Sequence, residues 1–180
     1  MKKVVGLYYA FQVFFTLLVW VPIFYVIQKS SGLTDTQIFF IQTCYHLLFS
    51  VFEIPTGSLA DKFGLRKIML AGAMTLCLAN IVPLVNAHYI GFFLHFMLIS
   101  LSRSLVSGSA SAYLYEYLAE QKSESEYKKI EGRARSYSLL VRIVVWASAG
   151  YLMKLSLLLP YAITAINALI AFFMATQMPD

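Results

Sequence analysis

Four ionisable side chains lie inside long apolar stretches of the sequence: Glu53, Arg103, Glu116 and Arg142. A charge among apolar residues is costly, so it pairs with an opposite charge, faces water or holds a ligand. Arg103 could anchor an anionic group, form half of an ion pair that breaks during function, or join two helices permanently. Glu53 and Arg142 are candidate partners for each other, because each lies roughly 10 Å from the same end of its stretch.

Polar residues also recur at helical spacing in the stretch around residue 46. Gln42, His46, Ser50, Glu53 and Gly57 fall on one face at about 100° per residue, opposite Phe, Ile, Leu and Val. This face is expected to point toward other helices. Imidazole titrates near neutral pH, so His46 is a candidate proton carrier, and a histidine that is only hydrogen-bonded within a bundle is the alternative.

A second polar pair lies nearer the N-terminus. Gln12 and Thr16 are four residues apart, so they share a helix face and are expected to line one cavity. The alternative is that both side chains form hydrogen bonds between helices.

The elements that position these residues are membrane helices. The chain has 180 residues, of which 59% are hydrophobic and 13% charged. Soluble domains contain about 45–50% apolar and 25% charged residues, so the composition predicts an all-α membrane protein. Six spans are expected, within one domain over residues 1–180, at approximately 4–27, 38–60, 67–87, 89–118, 136–155 and 157–178.

The polar segment 119–135 is expected to be a cytoplasmic linker. It alternates Glu with Lys and Arg, which fits either a helix at the membrane interface or a solvated linker. With the N-terminus inside, ten Lys and Arg fall in cytoplasmic segments and only Lys29 and Lys154 fall outside. This bias predicts that both termini are cytoplasmic, and it explains the net charge of +5 without a nucleic-acid partner.

The turn between the second and third spans contains a motif, G-x-x-x-D-K-x-G-x-R-K. Its defined residues occupy fixed offsets on a predicted cytoplasmic turn, and they are Gly57, Asp61, Lys62, Gly64, Arg66 and Lys67. The motif resembles the loop between helices two and three in the major facilitator superfamily of secondary transporters. The segment before it, Glu53-Ile-Pro55-Thr-Gly57, is also similar to members of this superfamily.

The resemblance implies a fold and a mechanism. The family fold has twelve helices in two halves, each built from two inverted three-helix repeats, so residues 1–180 resemble an N-terminal half. The loop would act as a cytoplasmic gate: Asp61 would contact the opposite half, Gly57 and Gly64 would allow close approach, and Arg66 would pair with Glu116. A second six-helix half, or a homodimer, would complete the transporter.

The function expected from this resemblance is transport of a small molecule by alternating access in the cell membrane. Gln12, Thr16, Gln42, His46, Glu53, Arg103 and Arg142 are the candidate cavity residues, and protons are a candidate coupling ion. Two differences from the drug exporters of this superfamily do not favour drug efflux. Arg103 lies five residues before Gly108, and the fifth span lacks a proline.

Other functions are less favoured. A non-transporting fragment, or a six-helix subunit that needs a partner half, is the alternative to a transporter. No nucleotide loop, metal cluster or nucleophile–base set is evident, so neither an enzyme nor a cofactor or metal site is predicted.

Overall fold

The computed structural model describes residues 1–180 and contains helices without strands. The α-helices are α1 (Lys2–Thr16), α2 (Phe24–Ser30), α3 (Asp35–Phe63), α4 (Leu65–Val85), α5 (Tyr89–Glu120), α6 (Tyr127–Leu155) and α7 (Leu159–Thr176). Taken together, α1 and α2 form one span, and six spans are long and apolar enough to cross a membrane. The expected all-α membrane fold is therefore confirmed.

The first span is not the continuous helix that the apolar run 4–27 suggested. α1 ends at Thr16, and a short 3-10 turn at Val21–Ile23 precedes α2. Pro22 explains the break, because its ring has no N–H and clashes with the carbonyl four residues earlier, that of Leu18. The backbone between the two helices is buried, so its polar groups need partners from elsewhere in the bundle.

Side chains of α6 and α7 supply those partners. Thr164 accepts a hydrogen bond from the N–H of Val19 at 3.0 Å, and Trp146 donates to the Leu18 carbonyl at 2.9 Å. Asn167 donates more weakly to the Leu17 carbonyl at 3.4 Å. Irregular backbone at membrane depth is tolerated when protein groups satisfy it in this way.

The turn between α3 and α4 is a single residue, Gly64. Its φ of 91° lies in a region that residues with a Cβ rarely adopt, which explains the glycine at this position of the motif. α3 begins with a capping box between Thr34 and Gln37, as the Thr–Asp–Thr sequence indicates. The α3–α4 turn and the N-terminus lie at one end of the bundle, here called the basic end, together with the α5–α6 turn.

α4 lies at the centre of the packing, between α5 and α7. Close approach of α4 and α5 is made possible by Gly72, whose carbonyl accepts a hydrogen bond from Ser102 at 2.7 Å. α3 packs mainly on α5, and α1 packs on α6 and α7. α3 and α6 are the least buried spans, so each keeps a broad face that no other helix of the chain covers.

A cluster of aromatic side chains fills the bundle near the opposite end. The Trp20 indole donates a hydrogen bond to the Asn80 side chain at 2.8 Å. The fully buried His95 ring packs edge-on against Trp20 and Tyr161, and its Nδ1 lies 2.7 Å from the Ala79 carbonyl. These contacts join the broken first span to α4, α5 and α7.

The segment expected to be a linker, 119–135, is mostly helical. α5 continues to Glu120 and α6 begins at Tyr127, which leaves a turn of six residues between them. The fifth span is therefore nine residues longer at its N-terminal end than the expected 136–155. The buried residues Ile130, Ala134 and Ser138 recur every four positions and Glu131 lies next to the first of them, so this part of α6 packs one face inward.

Candidate functional site

A polar cavity of about 440 Å³ lies among α1, α3, α5 and α6. It gathers four of the residues expected to line a cavity, which are Gln12, Thr16, Arg103 and Arg142. Three serines, Ser107, Ser111 and Ser138, line it together with Glu131 and Arg135. α3 and α6 flank the cavity without substantial packing on each other, so it is not closed between these two helices.

Glu131 is the centre of the hydrogen-bond network in this cavity. Its carboxylate accepts a hydrogen bond from the Tyr8 hydroxyl at 2.5 Å, from Arg135 at 2.9 Å and from Ser111 at 3.2 Å. The Gln12 amide in turn donates to the Tyr8 hydroxyl at 2.8 Å. Glu131 is buried, and a buried carboxylate needs hydrogen-bond donors around it. Its three donors, Tyr8, Arg135 and Ser111, meet that need.

Arg103 and Arg142 have only neutral partners. Arg103 donates to the Tyr45 hydroxyl at 3.2 Å, and Arg142 donates to the Ser138 carbonyl at 3.3 Å. The Arg142 guanidinium also lies 5.8 Å from the centre of the Trp146 ring. Both arginines lie near the middle of their helices, Arg103 in α5 and Arg142 in α6.

Glu53 lies in an adjoining cavity of about 600 Å³ between α3 and α5. Its carboxylate accepts a hydrogen bond from Ser107 at 3.3 Å and forms no ion pair with Arg142, in contrast to the pairing considered from the sequence. Ser107 lines both cavities and therefore connects them. Gly57 and Asp61 line the same cavity nearer the basic end.

Two residues of the expected polar stripe line neither cavity, whereas Ser50, Glu53 and Gly57 line the adjoining one. His46 is exposed and lies edge-on to the neighbouring Tyr45 ring, with a centroid distance of 4.8 Å. Gln42 is half-buried, and its amide nitrogen has no hydrogen-bond partner. The stripe therefore follows the uncovered face of α3 as well as the cavity.

At the basic end, Arg66 fastens the start of α4 to the end of α7. Its guanidinium donates to the carbonyls of Ala175 at 3.1 Å and Thr176 at 2.6 Å, and it forms an ion pair with Asp180 at 2.5 Å. The hydrogen bond from Arg66 lowers the pKa of the Asp180 carboxyl. A cation is favourable at this position, because the last carbonyls of a helix carry partial negative charge.

The expected pair between Arg66 and Glu116 is not formed. Glu116 is exposed near the end of α5, and both side chains line a cavity of about 340 Å³ at the basic end, together with Lys67. Arg66 faces the end of α7 instead, where two carbonyls and a carboxylate offer three acceptors. Sequence spacing could not reveal this, because it does not indicate that α7 ends beside α4.

The sequence model described as Major Facilitator Superfamily matches residues 4–178. The chain belongs to this superfamily. A major facilitator superfamily multidrug transporter, mfsC of Aspergillus fumigatus, is 34% identical over 56 residues, which are 31% of this chain and 11% of that protein. The chain thus matches only a small part of the length of that relative.

The superfamily motif occupies the end of α3, the Gly64 turn and the start of α4. Asp61 is exposed in the last turn of α3 and forms no ion pair within the chain. Lys62 is also exposed, and its ammonium group lies 5.5 Å from the centre of the Phe63 ring. Of the charged residues of the motif, only Arg66 forms a hydrogen bond with another helix.

The residues that sequence reasoning missed belong to the extension of α6 and to its partner on α1. Glu131 and Arg135 were assigned to a linker, and Tyr8 was not singled out within the first span. The signal in the sequence was the period of three to four in Ile130, Ala134 and Ser138, which places Glu131 on an inward helix face. In the structure this face borders the cavity.

Proposed function

We propose that this chain is the N-terminal six-helix half of a secondary transporter of the cell membrane, built from two inverted repeats of three helices. It would carry a small molecule by alternating access around the central cavity. The observation that carries this proposal is the polar cavity among α1, α3, α5 and α6, which reaches the middle of the spans at Arg103 and Arg142, in a member of the superfamily. Polar and charged side chains at this depth mark substrate pathways.

The basic end would face the cytoplasm, where Lys and Arg concentrate in membrane proteins. The Gly64 turn would be the gate on that side. Asp61 supports this role because it is exposed and has no ion-pair partner in the chain, so its carboxylate is available to a helix of another domain. Arg66 would keep α4 and α7 together while the gate moves, since its three contacts all go to the end of α7 and the residues after it.

A second six-helix half, or a second copy of this chain, would cover the open side of the cavity. The uncovered faces of α3 and α6 support this, because both flank the cavity and both carry exposed large apolar residues. Protons would be the coupling ion. Glu131 is the candidate carrier, as its carboxylate lies in the cavity among Tyr8, Ser111 and Arg135.

Cysteine accessibility tests alternating access without knowledge of the substrate. Cys44 and Cys77 are first replaced by serine, and Ser107→Cys then introduces one thiol at the junction of the two cavities. Right-side-out and inside-out vesicles are treated with a membrane-impermeant maleimide. We expect Ser107→Cys to react from both sides of the membrane. A control thiol at the exposed Ser125 should react from the cytoplasmic side only.

The gate assignment is tested in the same vesicles. Asp61→Asn should raise the labelling of Ser107→Cys from the cytoplasmic side and lower it from the other side, because an unlatched gate favours the inward-open state. Labelling from one side only, in both backgrounds and at a protein density that lets two copies associate, would contradict alternating access by this chain or its homodimer.

A further inference from the structure

The charges in the central cavity do not balance. Three guanidinium groups, of Arg103, Arg135 and Arg142, face one carboxylate, that of Glu131. Glu131 forms its ion pair with Arg135 at 2.9 Å, so Arg103 and Arg142 remain without an acidic partner. Glu53, in the adjoining cavity, bonds to Ser107 and not to either arginine. The cavity therefore carries an excess of two positive charges.

Both unpaired guanidinium groups also have unused donors. A guanidinium offers five N–H donors, and each of these two arginines forms one hydrogen bond within the chain. Arg103 lies 14 residues after Tyr89 and 17 before Glu120, and Arg142 lies 15 after Tyr127 and 13 before Leu155, so both are near mid-helix. Unpaired cations at that depth are unfavourable unless an anion or water joins them.

A neutral donor next to the arginines is also unsatisfied. The Ser138 hydroxyl is buried and has no hydrogen-bond partner, and Ser138 is one of the residues that line the cavity. Buried hydroxyl groups are nearly always hydrogen-bonded, so this one indicates a missing partner at the site. The backbone carbonyl of Ser138 accepts the hydrogen bond from Arg142, so the two residues are neighbours on one face of α6.

The same two arginines border a smaller cavity of about 120 Å³ with apolar walls. Phe15, Leu18, Val21 and Trp146 line it along with Arg103 and Arg142. A ligand with a charged head at the arginines would have room for an apolar or aromatic body against these side chains.

We propose that the transported molecule is an organic oxyanion, a carboxylate or a phosphoryl compound, whose head group binds between Arg103 and Arg142. Paired guanidinium groups suit such groups because they present parallel N–H donors to two oxygens. The Ser138 hydroxyl donates to the same head group, and Trp146 packs against the body of the ligand. This inference rests on the proposed transport function and specifies its substrate class.

Binding to the chain purified in detergent tests the substrate class directly. The chain has two tryptophans, so Trp20→Phe leaves Trp146 as the only indole reporter, at the cavity. Four probes share one aromatic ring: benzoate for carboxylates, phenylphosphonate for phosphoryl groups, benzylamine for cations and benzyl alcohol as the neutral control. If Trp20→Phe does not fold, isothermal titration calorimetry on the unchanged chain makes the same comparison.

We expect saturable binding of benzoate or phenylphosphonate, and the tighter of the two identifies the source of the oxyanion. Arg103→Gln and Arg142→Gln should each weaken that binding by about ten-fold or more, as expected for a charged hydrogen bond. Arg133→Gln, an exposed residue outside the cavity, should leave it unchanged. Ser138→Ala should weaken it by a smaller factor.

Three results would overturn the inference: benzylamine binding as tightly as the anions, no saturable binding of either anion, or unchanged anion binding in both arginine variants. The transport proposal fails separately, through one-sided labelling of Ser107→Cys. Anion binding with one-sided labelling would retain the site and remove transport, and two-sided labelling without anion binding would do the reverse.

Discussion

The two strongest contacts of Glu131 should differ sharply in their effect on stability. The hydroxyl of Tyr8, which is fully buried, donates at 2.5 Å, whereas the Arg135 side chain is 76% exposed and donates at 2.9 Å. A buried hydrogen bond to a charged group contributes about 1.5–3 kcal/mol, and an exposed ion pair contributes under about 1 kcal/mol. Tyr8→Phe should therefore destabilise the chain more than Arg135→Gln, although Arg135 carries the formal charge.

The measurement is the free energy of unfolding in mixed detergent micelles, followed by far-ultraviolet circular dichroism. Tyr8→Phe keeps the ring, so it creates no cavity and isolates the loss of the hydroxyl. Tyr9→Phe is the matched control, because the Tyr9 ring packs edge-on against Tyr137 and its hydroxyl has no hydrogen-bond partner in the chain. In a Glu131→Gln background the effect of Tyr8→Phe should shrink, since the acceptor is then neutral. A cost for Arg135→Gln equal to or above that of Tyr8→Phe would refute this reasoning.

Three further changes test the packing and the basic-end turn. Gly72→Ala should cost about 1–3 kcal/mol of unfolding free energy, because the added Cβ would collide with Val106. Gly150→Ala should instead raise the unfolding free energy by up to about 1 kcal/mol, because nothing lies within 4 Å of its added Cβ. Equal effects of the two substitutions would contradict the close approach of α4 and α5. Gly64→Ala should lower the unfolding free energy by about 1–3 kcal/mol through backbone strain alone, because no atom lies within 4 Å of the added Cβ. An unchanged unfolding midpoint would contradict this. Arg66 lowers the pKa of Asp180, so the stability from that ion pair is present above the ordinary pKa of 3.8 and is lost as the pH falls below it. The difference in Tm between the unchanged chain and Asp180→Asn should therefore close on acidification, and a constant difference would show that the carboxylate is not the group involved.

The fold class could be read from the sequence because the bilayer imposes a simple requirement, about 20 apolar residues per span. The turn at Gly64 was also recognisable, since the backbone requirement of a tight turn is local. The break in the first span was not recognised, although Pro22 was visible. An uninterrupted apolar run is long enough to span a bilayer whether or not its backbone is helical throughout.

Only part of the candidate site could be predicted from the sequence, for a different reason. Arg103 and Arg142 could be selected because a charge in an apolar stretch stands out, but spacing along one helix does not indicate which helices touch. Glu131 could not be selected in the same way, because it is flanked in the sequence by Lys and Arg residues that are exposed. Only the structure shows that Glu131, and none of these charged neighbours, binds the Tyr8 hydroxyl. The same limitation led to the choice of Glu116 as the partner of Arg66.

The broken first span has a consequence for how the protein is made. Its irregular backbone enters the membrane early in translation, yet Trp146, Thr164 and Asn167, which satisfy its polar groups, are synthesised about 130–150 residues later. Unpaired backbone groups in hydrocarbon are strongly unfavourable, so the nascent segment needs water, lipid headgroups or an insertion factor until the last two spans arrive. Substitutions at Trp146 or Thr164 should therefore reduce the yield of inserted protein, and not only its final stability.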